Sequence, residues 1–220
     1  RDLPSFPTRR SSDLIDDAVE KFSVVKTMQA IEDANVVVLV LDTRENVSDQ
    51  DAHLAGYVEE AGRAFVIALN KCDGLSAAQR QSAKDSLARM LNFVDYAPVH
   101  HISALQGTGI KGLLDAVDGA YRAAMIKLPT PKLTRALEAA VARQAPPRGG
   151  VSRPKMRYAH QGGSNPPRII IHGSGLTRVP ASYRRYLEHF FRDAFELAGT
   201  PLKIEFRQGL NPYEKRRSRR

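Results

Sequence analysis

Three short apolar runs constrain this chain more than anything else in it: VVVLVLD at Val36–Asp42, AFVIALN at Ala64–Asn70 and PVHHISA at Pro98–Ala104. The first two lack polar alternation, which predicts strands buried on both faces, as in a parallel sheet lying between helices. Segments of helical spacing separate them. Val19, Phe22, Val25, Met28, Ala30 and Ile31 mark an amphipathic helix over about 18–34, and further helices are expected over about 49–61, 77–92 and 109–127. Strand and helix alternating in this way predict an α/β, doubly wound sheet. In such sheets ligands sit at the carboxyl ends of the strands.

Two motifs occupy those ends. Asn70-Lys71-Cys72-Asp73 closes the second run, and Ser103-Ala104-Leu105-Gln106-Gly107 closes the third about 30 residues later. They resemble the N-K-x-D and S-A-x-x-G guanine-recognition motifs of GTPases. The residue types suit that chemistry: guanine presents an imino donor beside an exocyclic amino donor, and one ionised carboxylate accepts both. Adenine lacks the pair, so a carboxylate at Asp73 discriminates through the unmet partner. The resemblance implies that Lys71 lays its stem along the base, Asn70 braces the loop, and the Ala104 amide donates to the guanine carbonyl, with Ser103 and Leu105 in the same loop. The plainer alternative is a turn and helix cap at Asn70 and Asp73, with Ser103 a polar strand end. Cys72 stands at the variable position of the motif. His100 and His101 are strand neighbours that point to opposite faces and make no metal site unaided.

Other GTPase parts are not in the sequence. It contains no Gly-Lys dipeptide and no Asp-x-x-Gly, hence no phosphate-cradling loop and no magnesium-side switch motif. Asp42 lacks the glycine that such a motif requires. The expectation is a truncated P-loop GTPase-type sheet with no catalytic or metal-binding residues of its own, unable by itself to hydrolyse GTP.

Charge divides the chain. Residues 129–220 hold 19 of the 33 Lys and Arg but 6 of the 24 Asp and Glu, a net of +13 against −4 for the rest. A basic half faces a polyanion, and the terminal cluster Lys215-Arg216-Arg217-Ser218-Arg219-Arg220 sharpens that expectation. The pattern in this half reads helix (about 131–143), strand (155–161), a long turn through 160–167, strand (168–173), helix (180–198, stopped by Gly199) and strand (202–208). Tyr183, Tyr186, Leu187, Phe190, Ala194 and Leu197 form one apolar face of the long helix, read as core rather than as a base-stacking stripe. The α-β-β-α-β order, with YAHQGGSNPP, VPASYRRYL and NPYEKR, resembles the KH-like C-terminal domain of the EngA/Der (double-Era) GTPases. The backbone-clamping G-x-x-G of ordinary KH domains does not occur in this half; Gly109–Gly112 fits the pattern only by accident, at a helix start. Exposed cations such as Arg184 and Arg185 are the RNA candidates.

The resemblance covers the chain from Ile15 onward. Ser5–Leu14 instead matches the translation of a common sequencing-adapter oligonucleotide, so 1–14 is expected to be a non-native, unstructured scar. Expected domains are 15–128, a truncated second Era-like GTPase domain, and 129–220, KH-like with a basic tail. The resemblance implies GTP/GDP as ligand, Mg2+ in an intact parent, the large ribosomal subunit and its ribosomal RNA as partners, and a monomeric, cytoplasmic ribosome-assembly GTPase. The alternative is an RNA- or ribosome-binding KH-like module with no enzymatic activity. No run of 18 apolar residues occurs, and the lone Cys72 supplies no disulfide. A sheet lacking its first strands is expected to expose apolar edges and dissolve poorly.

Overall fold

The computed structural model describes residues 24–148 and 153–208. The expectations for 1–14, for the start of the first helix and for the basic tail fall outside them. Residues 24–33 form a helix, α1, within a unit that ends at Ala34. From Asn35 onward the described chain forms a second unit, built from two sheets.

The first sheet is parallel, ordered β1 (Val36–Asp42), β2 (Ala64–Asn70), β3 (Val99–His101). It alternates with α2 (Asp49–Glu60), α3 (Ala77–Met90) and α4 (Ile110–Ala124). Ser48 and Ser76 start α2 and α3 as full capping boxes, answered by Asp51 and Gln79 three residues on. Six of the seven β2 residues are buried, as the unbroken apolar run requires. β1 departs from expectation: most of it is half-buried and Val40 is 55% exposed. β3 is also shorter than its apolar pattern, because Ser103 turns away to bridge Thr108 and the ladder ends. Gly109 then takes a left-handed conformation (φ 77°) at the start of α4, where a Cβ would lie 2.4 Å from the His101 carbonyl; only glycine fits.

The second sheet follows α5 (Thr130–Arg143), which opens with Pro131 in its first turn. Its order is β4 (Lys155–Gly163), β5 (Arg168–Ser174), β6 (Lys203–Gln208), with β4/β5 antiparallel and β5/β6 parallel across the helix α6 (Ala181–Phe195). The α-β-β-α-β order is as expected, but β4 runs on to Gly163, so the turn shrinks to 164–167. α6 ends at Phe195, where Glu196 turns left-handed (φ 53°), rather than at Gly199. Its buried line is Tyr183, Leu187 and Phe191, with Tyr186 and Phe190 flanking and Ala194 exposed. Those rings pack on Leu133, Leu137 and Ala140 of α5 and on Ala159, Ile169, Ile171 and Ile204 of the sheet. Each fully buried apolar side chain contributes roughly 1.5–3 kcal/mol. The Tyr183 and Tyr186 hydroxyls donate to the carbonyls of Gln144 (2.6 Å) and Ala140 (2.8 Å), so neither buried phenol is left unmet.

A hydrogen-bonded seam joins the two sheets. Gly199 donates its N–H to the Tyr96 carbonyl (2.9 Å) and accepts from the Phe65 N–H at the start of β2 (2.7 Å). Its φ is +71°, and a Cβ there would lie 2.6 Å from that of Ala120. The glycine read from sequence as a helix stop is therefore one of the contact points between the halves, beside the Arg192–Asp95 pair (3.3 Å) and the Asn165 N–H bond to the Ala124 carbonyl (2.9 Å). Gln161 fastens the connecting segment, accepting from the Leu128 N–H (2.7 Å) and donating to the Ile126 carbonyl (2.8 Å).

Candidate functional site

The carboxyl ends of β1, β2 and β3 bring the two motif loops together. Asp42 and Asn70 stand side by side in register. The Asn70 carbonyl accepts from the Thr43 N–H (2.9 Å) and from the Thr43 hydroxyl. Its side-chain Oδ1 accepts from the Ala104 N–H at 3.0 Å, tying the loop after β2 to the loop after β3. The Cys72 N–H donates to the Ile102 carbonyl (3.1 Å) and adds a second tie. Cys72 faces inward, its Sγ 3.0 Å from the Leu69 carbonyl and 3.6 Å from His101 Nδ1.

Asp73 lies beside Ser103. The neighbouring Ser103 hydroxyl, itself buried, holds the Asp73 pKa below the ordinary carboxylate range. Its own backbone N–H and the cation of Arg44, 3.7 Å away, act in the same direction. The group is thus an ionised acceptor at neutral pH. Ser103 Oγ also accepts from the Gln106 N–H (3.3 Å), which shapes the second loop. Asp73 and Ser103 line a cavity of about 380 Å³ with Arg80, Lys84 and His101. Asn70 and Ala104 do not line it but bond each other in the loop tie, and Leu105 is 91% exposed. Burial, with help from Lys84 and Arg80, lowers the His101 pKa, so it is a neutral ring at neutral pH.

Lys71 has a left-handed backbone (φ 62°) and its Nζ is bonded to Asp42. That ion pair, with the Arg44 N–H (3.0 Å), holds Asp42 below its ordinary pKa. A magnesium ion does not fit here: Asp42 is already committed, and among the described residues no three of His, Cys, Asp and Glu cluster. Sequence reading missed Thr43 and Arg44. Their signal was weak: two polar residues directly after an apolar strand, with nothing to show that they cross to the next loop.

This geometry defines a class: a parallel α/β unit with two loops meeting at its strand ends, joined to a small KH-like α+β half. Residues 127–207 match the family described as the KH-domain-like of EngA bacterial GTPase enzymes, C-terminal, and residues 15–123 match the elongation factor Tu GTP-binding domain. The chain is 62% identical over 204 residues to GTPase Der of Nitrosomonas eutropha, covering 93% of this chain and 44% of that protein. It is 64% identical over 200 residues to GTPase Der of Nitrosospira multiformis, covering 90% and 43%. The chain belongs to the EngA/Der family. It spans less than half the length of these relatives. Among solved structures, a probable GTP-binding protein engB resembles it loosely, with a TM-score of 0.41 and 20% identity over 54% of this chain and 72% of that one. No helix among the described residues is long and apolar enough to cross a membrane.

Proposed function

We propose that residues 15–128 form the guanine-recognising part of a ribosome-assembly GTPase, and that 129–220 form an RNA-facing KH-like domain. One observation carries the reading: Asp73, lining one cavity with the buried Ser103 and 3.7 Å from the Arg44 cation, stands where two loops tied by Asn70 and Ala104 converge. Its carboxylate accepts the imino and amino protons of guanine. The Ala104 amide is held by Asn70 in this structure, so it reaches the guanine carbonyl only by leaving that bond. Lys71 serves the base with its aliphatic stem while its ammonium stays on Asp42. GTP turnover belongs to a longer chain, because this sequence contains no Gly-Lys phosphate loop and no Asp-x-x-Gly. The large ribosomal subunit in the cytoplasm is the proposed place of action, supported by the family and by the basic half.

The test uses a longer chain that carries the phosphate loop. There Asp73→Asn should relax the preference for guanine over adenine nucleotides, and unchanged specificity would remove Asp73 from this role. A second reading, an RNA-binding module without nucleotide chemistry, is favoured by the charge of the second half. Its mark is RNA affinity that falls steeply with salt.

A further inference from the structure

Three stacked rings on the second sheet belong neither to the guanine loops nor to the seam between the halves. Tyr158 and His172 are register partners across β4 and β5, with centroids 4.5 Å apart and planes 5° from parallel. His160 continues the stack, 5.0 Å from His172 and 6.3 Å from Tyr158. Alternation along the strands puts these rings opposite the face where Ala159, Ile169 and Ile171 pack under the helices. Tyr158 keeps 44% of its surface exposed there.

The surroundings favour a polyanion. β4, β5 and β6 carry Lys155, Arg157, Arg168, Lys203 and Arg207 against a single carboxylate, Glu205. That carboxylate is occupied by Arg168 (3.2 Å) and Arg207 (3.8 Å). Arg207 is the register partner of His172, next to the stack, and it is exposed, as are Lys155 and Arg157. Desolvation first, then His160 and Arg207, lower the His172 pKa, so the ring already stacked on Tyr158 is neutral at neutral pH. Flat rings edged by cations suit nucleobases, every one of which has a π-face.

We propose that this open sheet face binds unpaired nucleotides of an RNA, its bases stacking on the exposed ring of Tyr158, which His172 backs, and its phosphates meeting Lys155, Arg157 and Arg207. The proposal rests on the reading of the basic half as RNA-facing. It moves the contact from Arg184 and Arg185 on α6 to the sheet. Arg184 already lies over the Phe206 ring, 5.3 Å from its centroid.

The experiment is fluorescence anisotropy on the whole chain, with a labelled mixed-sequence single-stranded RNA of about ten nucleotides and a duplex of the same length. Tyr158→Ala should weaken single-strand binding about ten-fold with the salt slope unchanged, whereas Tyr158→Phe should stay within about two-fold. Arg207→Gln should reduce the salt slope by about one. Single-strand binding that ignores Tyr158→Ala overturns the stacking site and leaves the RNA-facing reading intact. If the unaltered chain binds neither RNA at low salt, both readings fall. Should Tyr158→Ala not fold, ultraviolet crosslinking of the same single strand to the unaltered chain gives the answer. Adducts on Tyr158 support the site, and adducts confined to α6 contradict it.

Discussion

The two sheets of this chain expose their chemistry in different ways. In the parallel sheet β2 is buried along its length, so polar side chains gather where the strands end, at Asn70, Asp73 and Ser103. In the mixed sheet one face packs on α5 and α6 while the other presents Tyr158, His160 and His172. A sheet covered by helices puts recognition in its loops, whereas a sheet covered on one side can put it on its strands. The seam at Gly199 links the two modes, because it bonds both the start of β2 and the segment before β3.

The largest expected effect probes how far the halves stand together. Phe191→Ala empties a fully buried site in the second core and should cost about 3–5 kcal/mol in urea unfolding. If the seam couples the sheets, amide exchange at β2 should quicken in the same variant; exchange confined to the second sheet would show two independent halves.

Gly199→Ala attacks the seam itself. The left-handed backbone and the 2.6 Å approach to Ala120 predict a loss of about 2–4 kcal/mol. The two halves should then melt in separate transitions by differential scanning calorimetry, and a single unshifted transition would contradict the seam.

Asn70→Ala removes the tie to the Ala104 N–H and should cost about 1 kcal/mol, with the Ala104 amide exchanging faster and the aromatic stack undisturbed. Spread of the effect to Tyr158 resonances would erase the contrast between loop and face chemistry.

Acid should give the smallest change. Asp42 and Asp73 both titrate below their ordinary range when folded. Their contribution is complete above the unfolded carboxylate pKa, about 4, and is lost as pH falls through the lower folded values. Carbon-detected titration of the two carboxylates should show both depressed, and ordinary values would remove Ser103 and Lys71 as their partners.

The parallel half was more legible in the sequence because its signals are local. An unbroken run such as AFVIALN names its own burial, and Asn70 to Asp73 lie together in four residues. What escaped reading crosses between strands: Thr43 reaching Asn70, Arg44 reaching Asp73, and the Tyr158–His172 stack, whose partners are far apart and meet only through register. Helix ends misled for a similar reason. Gly199 read as a stop because glycine commonly ends helices, but its conformation answers to Tyr96, Phe65 and Ala120. The exposure of Val40 shows that an apolar run reports what a strand can bury, not what covers it.

The central claim is that the paired loops recognise the guanine base. Its most direct test is amide chemical-shift titration of this chain with guanosine and, separately, with adenosine, at millimolar concentration to suit binding without phosphate contacts. Guanosine should shift Asp73, Ala104 and Leu105, adenosine should shift them little, and Asp73→Asn should abolish the guanosine shifts. Equal responses to both nucleosides, or none to guanosine, would contradict the claim.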